Sequence, residues 1–121
     1  MTESLTLAYW NTSLSPATGK KKTDKQREVH QKKLPIAKQV IETLVQKNDV
    51  DLLAVSEVDE SDLTEFKTVL AQYGYDYISG VESMGRTRFD LGLFYKAEKV
   101  NVSNHIFLTT NIRDNAAKNA L

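Results

Sequence analysis

Asp51-Leu52-Leu53-Ala54-Val55-Ser56-Glu57-Val58 is the stretch from which the fold is read. Four apolar residues in a row, leading into a carboxylate, predict a buried strand whose end delivers Glu57 to the rim of a sheet. An earlier run, Leu5-Thr6-Leu7-Ala8-Tyr9-Trp10, ends the same way in Asn11. Two adjacent parallel strands, one ending in an amide and the other in an acid, would make a small polar site on an apolar scaffold.

Outward from this pair, the first run alternates. Leu5, Leu7 and Tyr9 lie on one side, and Thr6, Ala8 and Trp10 on the other. Asn11 to Thr23, with Ser13, Ser15-Pro16 and Gly19, reads as a loop. A helix follows from Asp24 or Lys32 to Lys47, with Leu34, Ala37, Val40, Ile41, Leu44 and Val45 on one face. Pro35 would kink a helix that begins at Asp24 or mark the first turn of one that begins later. Asn48-Asp49 closes it.

After Glu57, Asp59-Glu60-Ser61-Asp62 is an acidic helix start, which the helix dipole favours. Leu63, Phe66, Val69, Leu70 and Tyr73 form its apolar face, and Gly74 suits its end. Short strands are expected at Tyr75–Ser79 and Leu91–Tyr95, separated by a loop with Gly85, Arg86 and Arg88. A last strand is expected where Val100, Val102, Asn104, Ile106 and Leu108 share a face. Residues 109–121 are poorly patterned. The order is β-α-β-α-β-β-β, an α+β (α/β) class in a single domain over 1–121, parallel in its first half and an antiparallel meander in its second.

The formal net charge of zero hides two opposed segments. Lys20 to Lys33 holds seven basic residues against two acids, whereas Asp49 to Glu65 holds seven acids and no base. No cysteine is present, which excludes disulfides and thiolate metal sites. The start, Met1-Thr2-Glu3-Ser4, has no basic leader, and no run reaches the eighteen or so apolar residues of a membrane span. A soluble, cytoplasmic protein is the expectation.

Glu57 is the leading candidate for chemistry. Mg²⁺ takes hard oxygen ligands, often one or two carboxylates with substrate phosphate and water, and a strand terminus places a Glu rigidly. The mundane alternatives are capping the next helix or pairing with a lysine. Asn11 is either a phosphate or metal-shell contact or a turn residue. The cluster of Lys20, Lys21, Lys22, Lys25, Arg27, Lys32 and Lys33 leaves the sheet on the same rim and suits a phosphate backbone or a solvated loop. Arg86 and Arg88 could grip phosphate oxygens or pair with local acids. His30 and His105 show no partner at a telling spacing and are assigned no role. Trp10, Tyr73, Tyr75 and Tyr77 read as core residues.

Taken together, Tyr9-Trp10-Asn11, a helix, and Asp51 to Val58 resemble the start of an endonuclease/exonuclease/phosphatase domain, the deoxyribonuclease-I-like fold. Gly85-Arg86-Thr87-Arg88-Phe89-Asp90-Leu91-Gly92-Leu93-Phe94-Tyr95 to Val100 is similar to that superfamily's following loop, strand and turn. The resemblance covers positions 5 to 108. It implies half of a two-layer β-sandwich flanked by helices, with Glu57 as the metal-binding carboxylate and Asn11 as the amide at the scissile phosphate. It implies Mg²⁺ or Mn²⁺ as cofactor and a phosphate-ester substrate, nucleic acid among the options. Arg86, Arg88, Lys20, Lys21 and Lys22 would be phosphate contacts. Ser56 departs from the superfamily's usual Gln. The superfamily's G-D-x-N strand end and terminal Asp-His pair have no match here. The expectation is therefore an incomplete catalytic set that self-associates or pairs with a missing C-terminal half. The competing readings are a receiver-like Mg²⁺-binding signalling module and a non-catalytic interaction domain.

Overall fold

The computed structural model describes residues 4–15, 23–80 and 91–102. Strand β1 spans Leu7–Asn11, helix α1 Asp24–Asn48, strand β2 Leu52–Ser56, helix α2 Glu60–Leu70, strand β3 Tyr75–Ser79 and strand β4 Leu91–Lys96. The strands form one mixed sheet in the order β1-β2-β4-β3. β1 and β2 are parallel, with Leu7 beside Leu52 and Asn11 beside Ser56. β4 runs antiparallel to both β2 and β3. The class is α+β, as the sequence predicts. β4 inserts between β2 and β3, an order that the sequence pattern leaves open. Val100 to Val102 is irregular, and the rest of the expected last strand lies outside the described residues.

A parallel pair needs a long crossover, and α1 supplies it. Its start is Asp24, fixed by a capping box: the Gln26 amide donates to the Thr23 hydroxyl and the Thr23 amide to the Gln26 side chain. Pro35 sits inside the helix on an exposed turn. The helix therefore does not wait for Lys32 to begin. The backbone donor lost at Pro35 leaves a carbonyl one turn earlier, on a stretch open to water. Asp49 closes the helix in the left-handed conformation, φ 47°.

Ala37, Ile41 and Val45 of α1, with Leu63, Phe66 and Leu70 of α2, share one core with Leu53, Val55 and Phe94 of the sheet. Val40 is exposed, not part of this face as its spacing suggests, because Ala37, Ile41 and Val45 define a narrower stripe. Phe94 lies at the centre, edge-on to Phe66 and stacked on Tyr77 at 5.5 Å. Gly92 leaves room for α2: a Cβ there would stand 2.2 Å from Leu63. Trp10 and Tyr77 pack against this core, as the sequence reading expects.

All of these contacts lie on one side of the sheet. Alternation puts Leu7, Tyr9, Leu52, Ala54, Ile78, Leu91, Leu93 and Tyr95 on the other. Leu7 and Tyr9 are 66% and 64% exposed. Among the described residues no helix or strand covers this apolar face.

The opposite end of the sheet is tied by Asp51, which is buried and accepts from the Thr6 amide at 2.7 Å and from Lys99 at 3.2 Å. The Thr6 bond, opposed by burial and helped by Lys99 and Lys96, holds its carboxyl below the usual carboxylate range. A depressed acid contributes stability above its unfolded value, about 3.9, and loses that contribution as pH falls through its folded value. Asp51→Asn is therefore expected to destabilise the protein at neutral pH, with the gap to the native chain closing below about pH 4. Thermal unfolding across that range checks this, and a gap that widened in acid would count against it.

Candidate active site

The parallel register brings the ends of β1 and β2 to one edge, Asn11 beside Ser56. The chain after β1 is then laced onto the chain after β2. The Thr12 amide donates to the Ser56 carbonyl at 3.1 Å, and the Ser15 amide to the Glu57 carbonyl at 2.8 Å. The Thr12 hydroxyl donates to the carbonyls of Ser56 and Glu57, at 3.0 and 3.1 Å. These bonds satisfy backbone groups that the end of a parallel ladder would otherwise orphan.

They also fix an unusual backbone. Glu57 has φ 57° and Ser13 has φ 54°, both in the left-handed region. Non-glycine residues seldom adopt it, at a cost of about 1–2 kcal/mol. Strain of this kind persists where the surroundings hold it, and it concentrates at functional sites.

The Glu57 side chain is half-buried and plays neither mundane role. The N-cap of α2 is Asp59, whose carboxylate accepts from the Asp62 amide. Among the described residues no lysine pairs with Glu57 and nothing hydrogen-bonds its carboxylate. Asn11 does act in a turn: its Oδ1 accepts from the Ser13 amide at 3.1 Å. Its Nδ2 remains as a donor at the edge. Ser56 is engaged by the Tyr9 hydroxyl at 2.6 Å.

A network behind the edge is invisible in sequence. His30 Nε2 lies 2.6 Å from Asp62 Oδ1, a partner 32 residues away. Asp62 is fully buried, and its Oδ2 accepts from the Ser15 hydroxyl at 2.7 Å and the Asp59 amide at 3.0 Å. One carboxylate thus joins α1, the start of α2 and the turn that holds Glu57. In front of the network is a cleft of about 540 Å³, lined by Ser13, Ser15, Lys25, His30, Lys33 and Glu57 among others.

Among the described residues no group of three acidic, histidine or cysteine side chains could enclose a metal. A cation here would take Glu57 as one hard oxygen ligand, a donor set that fits Mg²⁺ if phosphate and water complete its shell. Lys20, Lys21, Lys22, Arg86 and Arg88, the expected phosphate contacts, lie outside the described residues.

Comparison with known proteins bears on the fold. The chain is similar to an endonuclease/exonuclease/phosphatase family protein from Bacteroides thetaiotaomicron, with a TM-score of 0.59 and 26% identity. The fold is part of an endonuclease/exonuclease/phosphatase fold. The match takes in 83% of this chain but 34% of that structure, so this chain spans well under half its length. No family model and no curated protein matches the chain.

The strain at Glu57 gives a direct test. Glycine adopts φ 57° without a Cβ clash but costs more entropy to order. Glu57→Gly is expected to raise the unfolding free energy by about 0.5–1 kcal/mol, whereas Glu57→Ala, which keeps the Cβ, is not. Urea denaturation of the two variants measures the difference. A glycine variant less stable than the alanine variant would show that the backbone at Glu57 is not strained.

Proposed function

We propose that this chain supplies part of a metal-dependent phosphoesterase site, nuclease-like in substrate class. In this reading Glu57 is a ligand to Mg²⁺ or Mn²⁺, and Asn11 Nδ2 donates to an oxygen of the scissile phosphate. The observation that carries it is the edge itself: a strained, half-buried carboxylate without a partner among the described residues, beside a strand ending in an amide. The likeness to an endonuclease/exonuclease/phosphatase family protein supports the same reading. The bound cation would supply Lewis-acid polarisation of the phosphate and orient an attacking water. The chain's own residues would hold and aim. Thr12 and Ser15 fix the Glu57 backbone, and the Asn11 turn fixes the amide.

The receiver-like alternative gains no support from the structure. Such modules are parallel sheets with helices on both faces, whereas β4 here is antiparallel and both helices share one face. The open face instead fits a domain in which a second layer packs on the first. We propose that the residues completing the site belong to that layer.

Two measurements bear on these proposals. Glu57→Gln should weaken Mn²⁺ binding, read by electron paramagnetic resonance, by about tenfold or more. Unchanged affinity would remove Glu57 from the metal site. The 121-residue chain alone should bind an apolar dye and sediment as more than a monomer, and Leu7→Lys should reduce both. A monomer with no dye binding would mean that the apolar face is already covered.

A further inference from the structure

Helix α1 sorts the basic run of the sequence into paired and unpaired charges. Arg27 pairs with Asp24, Lys32 stands 4.0 Å from Glu28, and Lys38 reaches Glu65 of α2 at 2.9 Å. Lys25 and Lys33 have no acidic partner among the described residues, and both line the cleft beside Glu57. Positions 25, 29 and 33 share one helical stripe at spacings of four, with Gln26 and His30 beside it. The stripe facing the cleft therefore carries two ammonium groups two turns apart.

His30 is held by the fully buried Asp62, which also holds Ser15 on the opposite rim. Residues on two sides of the cleft are thus tied to one buried carboxylate. Among the described residues that line the cleft, two cations stand against the carboxylate of Glu57, which a metal would engage in the proposed function. Lysine serves as a point charge for phosphate, and the Ser13 hydroxyl, which donates to Asn11 Oδ1 at 3.4 Å, lies on the facing turn.

We propose that this cleft seats a second phosphate group, adjacent to the one that reacts at Glu57. Lys25 and Lys33 are its contacts. The substrate class is then a molecule with two or more phosphates, whether a phosphodiester chain or a polyphosphorylated small molecule. The placement next to the reacting phosphate rests on the reading of Glu57 above, whereas the subsite itself rests on the cleft.

The test is binding without metal. Pyrophosphate, a short single-stranded oligonucleotide and inositol hexakisphosphate are each titrated into the 121-residue chain, with amide chemical shifts followed by NMR. Shifts are expected at 13–15 and 25–33. The K25A/K33A double variant should bind about tenfold more weakly, the loss of two exposed ion pairs. Both lysines lie on the exposed face of α1, so circular dichroism should show an unchanged fold. K47A/K67A makes the same charge change elsewhere and should leave affinity unchanged. Equal weakening by both double variants, or shifts spread evenly over the surface, would overturn the subsite. Tighter binding of the oligonucleotide than of inositol hexakisphosphate assigns the phosphodiester source, and the reverse assigns the small molecule. A separate Mn²⁺ titration keeps the two readings apart. Pyrophosphate binding without Mn²⁺ binding would sink the metal role of Glu57 and leave the subsite. Mn²⁺ binding without pyrophosphate binding would sink the subsite alone.

Discussion

The parallel pairing of β1 and β2 is the constraint on which the rest of this structure depends. Parallel strands cannot be joined by a tight turn, so the chain must cross the sheet before it returns. That requirement gives α1 its length and places it over one face. It also sends both strand ends to the same edge, where two backbones stop pairing side by side. Thr12 and Ser15 take up the carbonyls of Ser56 and Glu57 there. Their bonds leave Glu57 in the left-handed region, with its carboxylate free of hydrogen bonds among the described residues. The site is thus a consequence of how the ladder ends.

The sheet has two characters. Its helix side is closed by fully buried Ile41, Leu63, Phe66 and Leu70, and Gly92 admits α2 at close range. Its other side is largely apolar, Asn11, Ser56 and Asp76 apart, and has no described element on it. Burying apolar area is the dominant gain in folding, and an apolar face left in water forgoes it. Leu7 and Tyr9 would be costly choices for a strand meant to face solvent, since the alternating pattern of such strands places polar residues outward. β1 is apolar on both sides, the composition of a strand that lies between two layers.

The fold was largely legible in the sequence because its signals are local. The run through Asp51 to Val58, the alternation of Leu5 to Trp10 and the acidic start of α2 each report on neighbours along the chain. Pro35 leaves the start of α1 open between Asp24 and Lys32 in the sequence, and the Thr23–Gln26 capping box of the structure settles it at Asp24. Glu57 was readable as a candidate from its place after a strand. What decides between its roles was not, since that needs the positions of every lysine and the identity of the α2 cap. His30 carries no legible signal in the sequence because its partner, Asp62, is distant along the chain and doubles as a helix-start residue. No spacing rule joins a histidine in one helix to the third residue of another.

Asp62 shows why such a residue escapes a local reading and still governs the site. As the third residue of α2 it needs only to accept the Asp59 amide, a surface task that any capping box performs. Here it is fully buried, and a buried carboxylate is costly unless every oxygen is engaged. His30 and Ser15 provide that engagement, so the capping residue becomes a junction of three segments. Ser15 in turn donates its amide to the Glu57 carbonyl. Moving α1 relative to α2 would break the His30 bond and leave a buried carboxylate oxygen without that partner, at the junction that also holds Ser15. The packing of the two helices and the aim of the carboxylate are therefore one mechanical unit, and the cleft formed by Lys25, His30 and Lys33 is its open side.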